Sequence, residues 1–318
     1  MDEASMLIRV GESEYKPLLD RGRVLADIQQ HLGPWINLIR DVTNYGTNLI
    51  PRCFSSSDRN LKDVVVIGIL LRQVVAMLDG VEILLSQGAA YAAQLQMRAL
   101  FEAYIYIEWM LESDTETKAS YYYVHNLRRK RLWASRTQPE TPEWQDFAAI
   151  MGEPRVQATD QARESAKSQV QEIDRVLSQP KFAPINEDFE KHRNGKRQVA
   201  WYVPLGQRSF AALTRAVHKE SLYAIFYSLA SEVMHTSSYD LHVRFGDDKV
   251  TFQPIRYLEG FEKVFRFSVS IALLTYMRIL KEYRAGELPV FGRKYKDQWQ
   301  KEFMNFLDIK YKTEATEI

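Results

Sequence analysis

The segment from Leu61 to Ser86 sets the terms on which this chain can fold. Its apolar residues recur at every angle around a helix rather than along one stripe. A helix of that kind has to be surrounded, because an amphipathic surface helix keeps a polar face and this one has almost none. Chain length supplies the cover. At 318 residues, scaling laws let about three-quarters of the unfolded chain's surface be buried. The neighbouring segments read as helices with apolar stripes. The expectation is therefore an all-α, multi-helix bundle with a helical and loop insertion and one small β-hairpin.

A membrane span is the competing reading of such a run, and the charges argue against it. Val64 to Leu85 carries Arg72, Asp79 and Glu82, and the second apolar run, Phe267 to Met277, is short and bounded by Arg266 and Arg278. A span needs about 20 predominantly apolar residues. Forty-two basic and 41 acidic residues leave a formal charge of +1, so no net field draws the chain to nucleic acid or membrane. The single cysteine, Cys53, excludes an intrachain disulfide framework and a cysteine-based zinc site. The N-terminus has no signal-like pattern, which points to a cytoplasmic protein.

Four segments follow from the punctuation. Residues 1–60 form an N-terminal helical segment, with a helix from Tyr15 to Asn48 broken at Gly33–Pro34. Residues 61–137 form the first half of the core. There Gly88 closes one helix, and a second runs from Ala89 to Ser113. A third, from Asp114 to Arg136, starts on an acidic cap and ends in the basic run Arg128 to Arg131, which suits the helix dipole. Residues 138–207, punctuated by prolines, read as a polar insertion. Residues 208–318 complete the core, with helices over Ser209–His218, Glu220–His235 and Tyr257–Ala285, a β-hairpin near 242–252, and a last helix near Tyr295–Leu307.

Two constellations could carry chemistry. Tyr91, Leu95, Arg98, Glu102, Ile105 and Trp109 fall on one helical stripe. Arg98 and Glu102 are the charged pair on it, expected to be buried against core neighbours. They read either as an internal ion pair or as an arginine held for an anion such as phosphate. Tyr227, Ser231 and His235 share a face at steps of four. His235 reads either as a cap on the last carbonyls or as a general acid–base. Glu232 to His235 matches half of a di-iron bundle signature, and Glu82, Glu102 and Glu108 could add carboxylates. That fold needs two such pairs, so no metal and no other cofactor is expected. Glycine-rich phosphate loops, nucleophile elbows and zincin motifs are missing.

The stretch Arg72 to Met110, with its glycine break and Arg-x-x-x-Glu helix, resembles the bacterial domain-of-unknown-function family 5677. So does Tyr223 to Ser237, with its tyrosine, serine and histidine. Arg208 sits where such proteins carry a basic residue. The helical layout of that family is similar to the HEPN superfamily, many of whose members are metal-independent ribonucleases of toxin and antiphage systems. The resemblance implies a catalytic set of Arg98, Glu102 and His235, with Tyr227, Ser231 and Arg208 binding substrate. RNA or a nucleotide would be the ligand, and a homodimer or protein partner the assembly. HEPN nucleases carry an arginine, four to six residues, then a histidine. None of His31, His125, His192, His218, His235 and His242 has an arginine there, so Arg98 and His235 would have to meet from different helices. A non-catalytic nucleotide- or protein-binding module is the alternative.

Overall fold

The computed structural model describes residues 21–55, 61–151, 158–193, 195, 198–227, 233–235, 242–245, 250–253, 255, 256, 258, 260–304, 316 and 317. The fold is all-α. Its helices are α1 (Arg21–Phe54), α2 (Leu61–Ser86), α3 (Ala90–Glu112), α4 (Thr115–Ser135), α5 (Pro142–Met151), α6 (Asp160–Leu177), α7 (Ala183–Lys191), α8 (Phe210–Ala216), the single turn α9 (Glu220–Leu222), α10 (Phe261–Tyr283), α11 (Leu288–Lys294) and α12 (Gln300–Met304). Two π-helical turns, Tyr223–Tyr227 and Tyr295–Trp299, interrupt the regular helix. Three short strands pair antiparallel in the order β1 (Val243–Phe245), β2 (Val250–Phe252), β3 (Thr316–Glu317), with Val243 opposite Phe252 and Thr251 opposite Glu317. The expected turn at 246–249 lies outside the described residues.

The chain divides into two compact units. The first comprises Met1–Ser57, Leu70–Ile107 and Glu220–Ile318; the second comprises Asp58–Ile69 and Glu108–Lys219.

In the first unit, α1 packs along α10. Leu32, Ile39, Leu49, Leu71, Leu78, Phe101, Tyr104, Phe265 and Tyr276 are fully buried. α1 does not break at Gly33–Pro34 as the sequence suggested. It runs through both Pro34 and Pro51. A proline costs the carbonyl four residues earlier its donor, and those residues, Gln30 and Thr47, lie on the exposed side of the helix, where water can serve instead. Gly33 offers no Cβ to collide with the proline ring, and the buried Leu32, Trp35, Ile36 and Ile39 hold the helix together across the gap.

Gly46 allows the closest approach in this core: a Cβ there would stand 2.2 Å from the Tyr276 hydroxyl oxygen and 2.7 Å from Val75 Cγ2. That hydroxyl is buried with no hydrogen-bond partner. Cys53 is buried as well, and its thiol is pushed up to about 11, chiefly by burial and then by the Glu287 carboxylate. At the end of α10, Gly286 sits in a short 3-10 turn, and Pro289 occupies the first turn of α11, where its missing N–H costs nothing.

In the second unit, α4 packs on α6 and α7. Residues 138–207 contribute buried Ile173, Leu177, Phe182, Phe189 and Trp201. Trp201 lies 5.3 Å from Trp109 and meets Tyr122 edge-on at 5.4 Å. Thr159 caps α6 and Ser209 caps α8, each accepting a backbone N–H three residues on. Asp114 occupies the N-cap position of α4 but takes a left-handed conformation (φ 48°) and makes no side-chain cap. Lys118 stands nearby, buried, donating 2.7 Å to the Trp109 carbonyl. It satisfies an orphan carbonyl at the end of α3.

In the basic run near the end of α4, Arg129 and Lys130 are exposed, but Arg128 and Arg131 are not left to solvent. Arg131 forks onto Asp174 at 2.5 and 3.2 Å and reaches Glu143 at 3.4 Å. Arg128 bonds Asn186 and Glu190, each at 2.5 Å. The remote carboxylates of α5, α6 and α7 complete these pairs.

Candidate functional site

The polar interruption on α3 is where the first unit gathers its functional groups. Arg98 Nε donates to Glu102 Oε1 at 3.2 Å, the one-turn contact their spacing predicts. The pair is less deeply buried than its position on an apolar stripe suggests: the side chains are 15% and 34% exposed. Leu95, expected in the core one turn before Arg98, is 38% exposed, so the stripe opens to solvent on that side. Ile105 and Trp109, further along, are buried.

Tyr227 completes a triangle. Its hydroxyl accepts from Arg98 Nη2 at 2.6 Å and donates to Glu102 Oε1 at 3.1 Å. Its ring also lies against the guanidinium, with Arg98 Cζ 4.2 Å from the ring centroid. Burial and the neighbouring Glu102 carboxylate push the phenol up to about 12, against the opposing pull of Arg98. The hydroxyl therefore keeps its proton at neutral pH and works as a donor. The remaining nitrogen, Arg98 Nη1, is buried with no partner.

Backbone geometry delivers Tyr227 to this place. Within the helix expected over Glu220–His235, the described residues form a single α turn, then a π turn, Tyr223–Tyr227, and helix again at Val233–Met234. The wider coil stacks Tyr223 on Tyr227, ring centroids 4.8 Å apart at 21°. Phe101 backs Tyr227 at 6.3 Å and Phe267 at 5.8 Å. Further along the same face of α3, Tyr91 meets the His242 ring edge-on at 4.7 Å.

Of the residues the sequence singled out, the structure brings Arg98, Glu102 and Tyr227 into mutual contact. His235 follows the buried Val233 and is itself exposed. Ser231 lies outside the described residues. Arg208 is an exposed residue of the second unit, immediately before the Ser209 cap. Sequence reading missed Tyr223 and the Tyr91–His242 pair. The four-residue spacing of Tyr223 and Tyr227 was the one signal available.

Among the described residues no group of three or more histidine, cysteine, aspartate or glutamate side chains is arranged to hold a metal ion. Among the described residues one helix, Asp63–Ser86, is long and apolar enough to cross a membrane by length and composition. Half of its most apolar window is buried inside the protein, and Val65, Ile69 and Ile83 are about half exposed along one face, so it is not enclosed on all sides as its composition suggested.

A helical chain with an arginine–glutamate–tyrosine cluster at this place matches one family model, over residues 63–252, well over half its length. The chain belongs to the family of unknown function DUF5677. No curated protein and no solved structure matches it.

Proposed function

We propose that the Arg98 cluster binds the phosphate of RNA, and that the protein is a HEPN-like, metal-independent ribonuclease of a bacterial toxin or antiphage system acting on cytoplasmic RNA. One observation carries this reading: a guanidinium fixed by Glu102 and Tyr227 that keeps one buried N–H donor without an acceptor. Buried donors are nearly always satisfied, and a planar guanidinium fits two oxygens of a phosphate. A phosphate oxygen at Nη1 would complete the inventory.

Catalysis then needs a proton carrier. His235 takes the proton of a ribose 2′-hydroxyl as the 2′-oxygen attacks phosphorus. The bond from phosphorus to the 5′-oxygen breaks, that oxygen takes a proton from water, a 2′,3′-cyclic phosphate remains, and His235 gives its proton back to the resulting hydroxide. Arg98 offsets the charge that builds on the phosphorane, with Glu102 fixing its orientation.

A second reading, a non-catalytic module for a nucleotide, has its own support. Tyr227 holds its proton, and Glu102 Oε1 already accepts from two donors, so neither is poised as a base. Incubating purified protein with a synthetic RNA in EDTA separates the two. Products ending in cyclic phosphate, lost in Arg98→Ala and His235→Ala, would support the nuclease. Arg98-dependent binding without cleavage would support the module. Neither binding nor cleavage would overturn both.

A further inference from the structure

We propose that Tyr227 is a displaceable gate, holding the place of an oxyanion on Arg98 until a ligand replaces it. The proposal rests on the phosphate-site reading and adds how that site opens. In the present arrangement protein groups occupy two of the three guanidinium nitrogens and one of its faces. Nε faces Glu102, Nη2 faces the Tyr227 hydroxyl, and the Tyr227 ring covers one face at 4.2 Å. The hydroxyl oxygen stands 2.6 Å from Nη2, close to the roughly 2.7–2.9 Å at which a phosphate oxygen would sit in a charge-assisted bond. A single phenol cannot also serve Nη1, which stays buried and unpartnered. A tetrahedral oxyanion would supply both nitrogens with two of its oxygens. Tyr227 thus mimics half of the ligand.

The hinge is in the backbone. Tyr227 ends the π turn Tyr223–Tyr227. Such turns are rare, occur mostly as single insertions in α-helices and concentrate at functional sites. Tightening this one to α geometry rotates Tyr227 about the local axis relative to α3 and withdraws its ring from Arg98. The Tyr223 ring, stacked on Tyr227, travels with it. The closed state is held at least by two hydrogen bonds, a cation–π contact and the Phe101 ring behind Tyr227, and a ligand must bear the cost of breaking them. Observed affinity is lowered by the fraction of molecules that are open, so removing the gate raises affinity.

The test uses the full-length protein, with AMP as probe in calorimetry and phenylglyoxal, which modifies accessible guanidinium groups, as a ligand-free readout by mass spectrometry. The gate predicts that Tyr227→Ala binds AMP at least about tenfold more tightly than wild type, that Tyr227→Phe, which keeps the ring but drops the hydroxyl, binds with intermediate gain, and that Arg98→Ala binds nothing. It also predicts that Arg98 is protected from phenylglyoxal in the wild type and modified in both tyrosine variants. Should Tyr227→Ala fail to fold, Tyr227→Phe carries both measurements. Weaker or unchanged binding in the tyrosine variants, with Arg98→Ala still inactive, would overturn the gate and leave the phosphate site standing. If neither wild type nor the tyrosine variants bind AMP, the site reading fails and the gate falls with it. Rapid modification of Arg98 in the wild type would also overturn the gate.

Discussion

Acid should loosen this protein through His125. The ring lies on α4 in the second unit, 6.0 Å from Phe189. Burial, then the charges of Arg129 and Arg128, pull it down from 6.5 to about 4. The folded protein therefore holds a neutral imidazole where the unfolded chain would bind a proton. Between these two values the unfolded state carries more protons, so stability rises with pH across the window and is lost as pH falls through it. The full depression corresponds to about 3 kcal/mol. At pH 5, part-way through the window, about 2 kcal/mol of it is gone, while at pH 7.5 almost none is.

Replacing His125 by glutamine removes the titration and keeps a polar side chain of similar reach. Urea unfolding followed by far-ultraviolet circular dichroism at pH 7.5 and pH 5 gives the comparison. Carboxylates titrate in both proteins and cancel. Wild type should lose about 2 kcal/mol more than His125→Gln between the two pH values. Equal losses would refute the reasoning, and a larger loss in the variant would mean that His125 is charged and paired in the folded state.

Other substitutions probe the packing and the site. Gly46→Ala should cost about 3 kcal/mol or more, because its Cβ would stand 2.2 Å from the Tyr276 hydroxyl; a thermal melt unchanged from wild type would contradict this. Tyr276→Phe should raise stability by about 1 kcal/mol, since it deletes a buried hydroxyl with no partner, as urea midpoints will report. Glu102→Ala should cost about 2 kcal/mol, below the 3–5 of a fully buried pair, because a third of that side chain meets solvent. Chemical denaturation of this variant beside Arg98→Ala would show it. Arg131→Lys should lose about 1 kcal/mol, because an ammonium cannot fork onto Asp174 and also reach Glu143; the difference should shrink in high salt.

Much of the fold was legible where one local rule decided the outcome. The left-handed Gly88 (φ 72°) that closes α2 depends on a few neighbouring residues, whereas the all-round burial expected of Leu61–Ser86 fails because its partners cover one side and leave Val65, Ile69 and Ile83 about half exposed on the other. The Arg98–Glu102 contact was legible because helical spacing alone brings such a pair together. What escaped was set by partners distant in sequence or by backbone choices that leave no compositional mark. A π turn at Tyr223–Tyr227 uses the same residue types as an α turn. Arg128 and Arg131 look like a solvated end until Asp174, Glu143 and Glu190 fold back onto them. Pro34 and Pro51 read as breaks, because local rules cannot register that Gln30 and Thr47 face water. Leu95 reads as core because it shares a stripe with Ile105, yet nothing in the stripe tells which end of the helix is covered.

The burial of Cys53 has a practical side. A thiol shielded from solvent and raised to about 11 is almost wholly protonated at neutral pH, and the protonated form does not attack maleimides or methanethiosulfonates. The native chain is thus a silent background for site-specific labelling. A cysteine introduced on the exposed side of α1, at Asn44 for instance, and another at the exposed Ala224 would take up spin labels or fluorophores with no native residue to remove first. Distances between such probes would report directly on whether the segment bearing Tyr227 moves when a ligand is added.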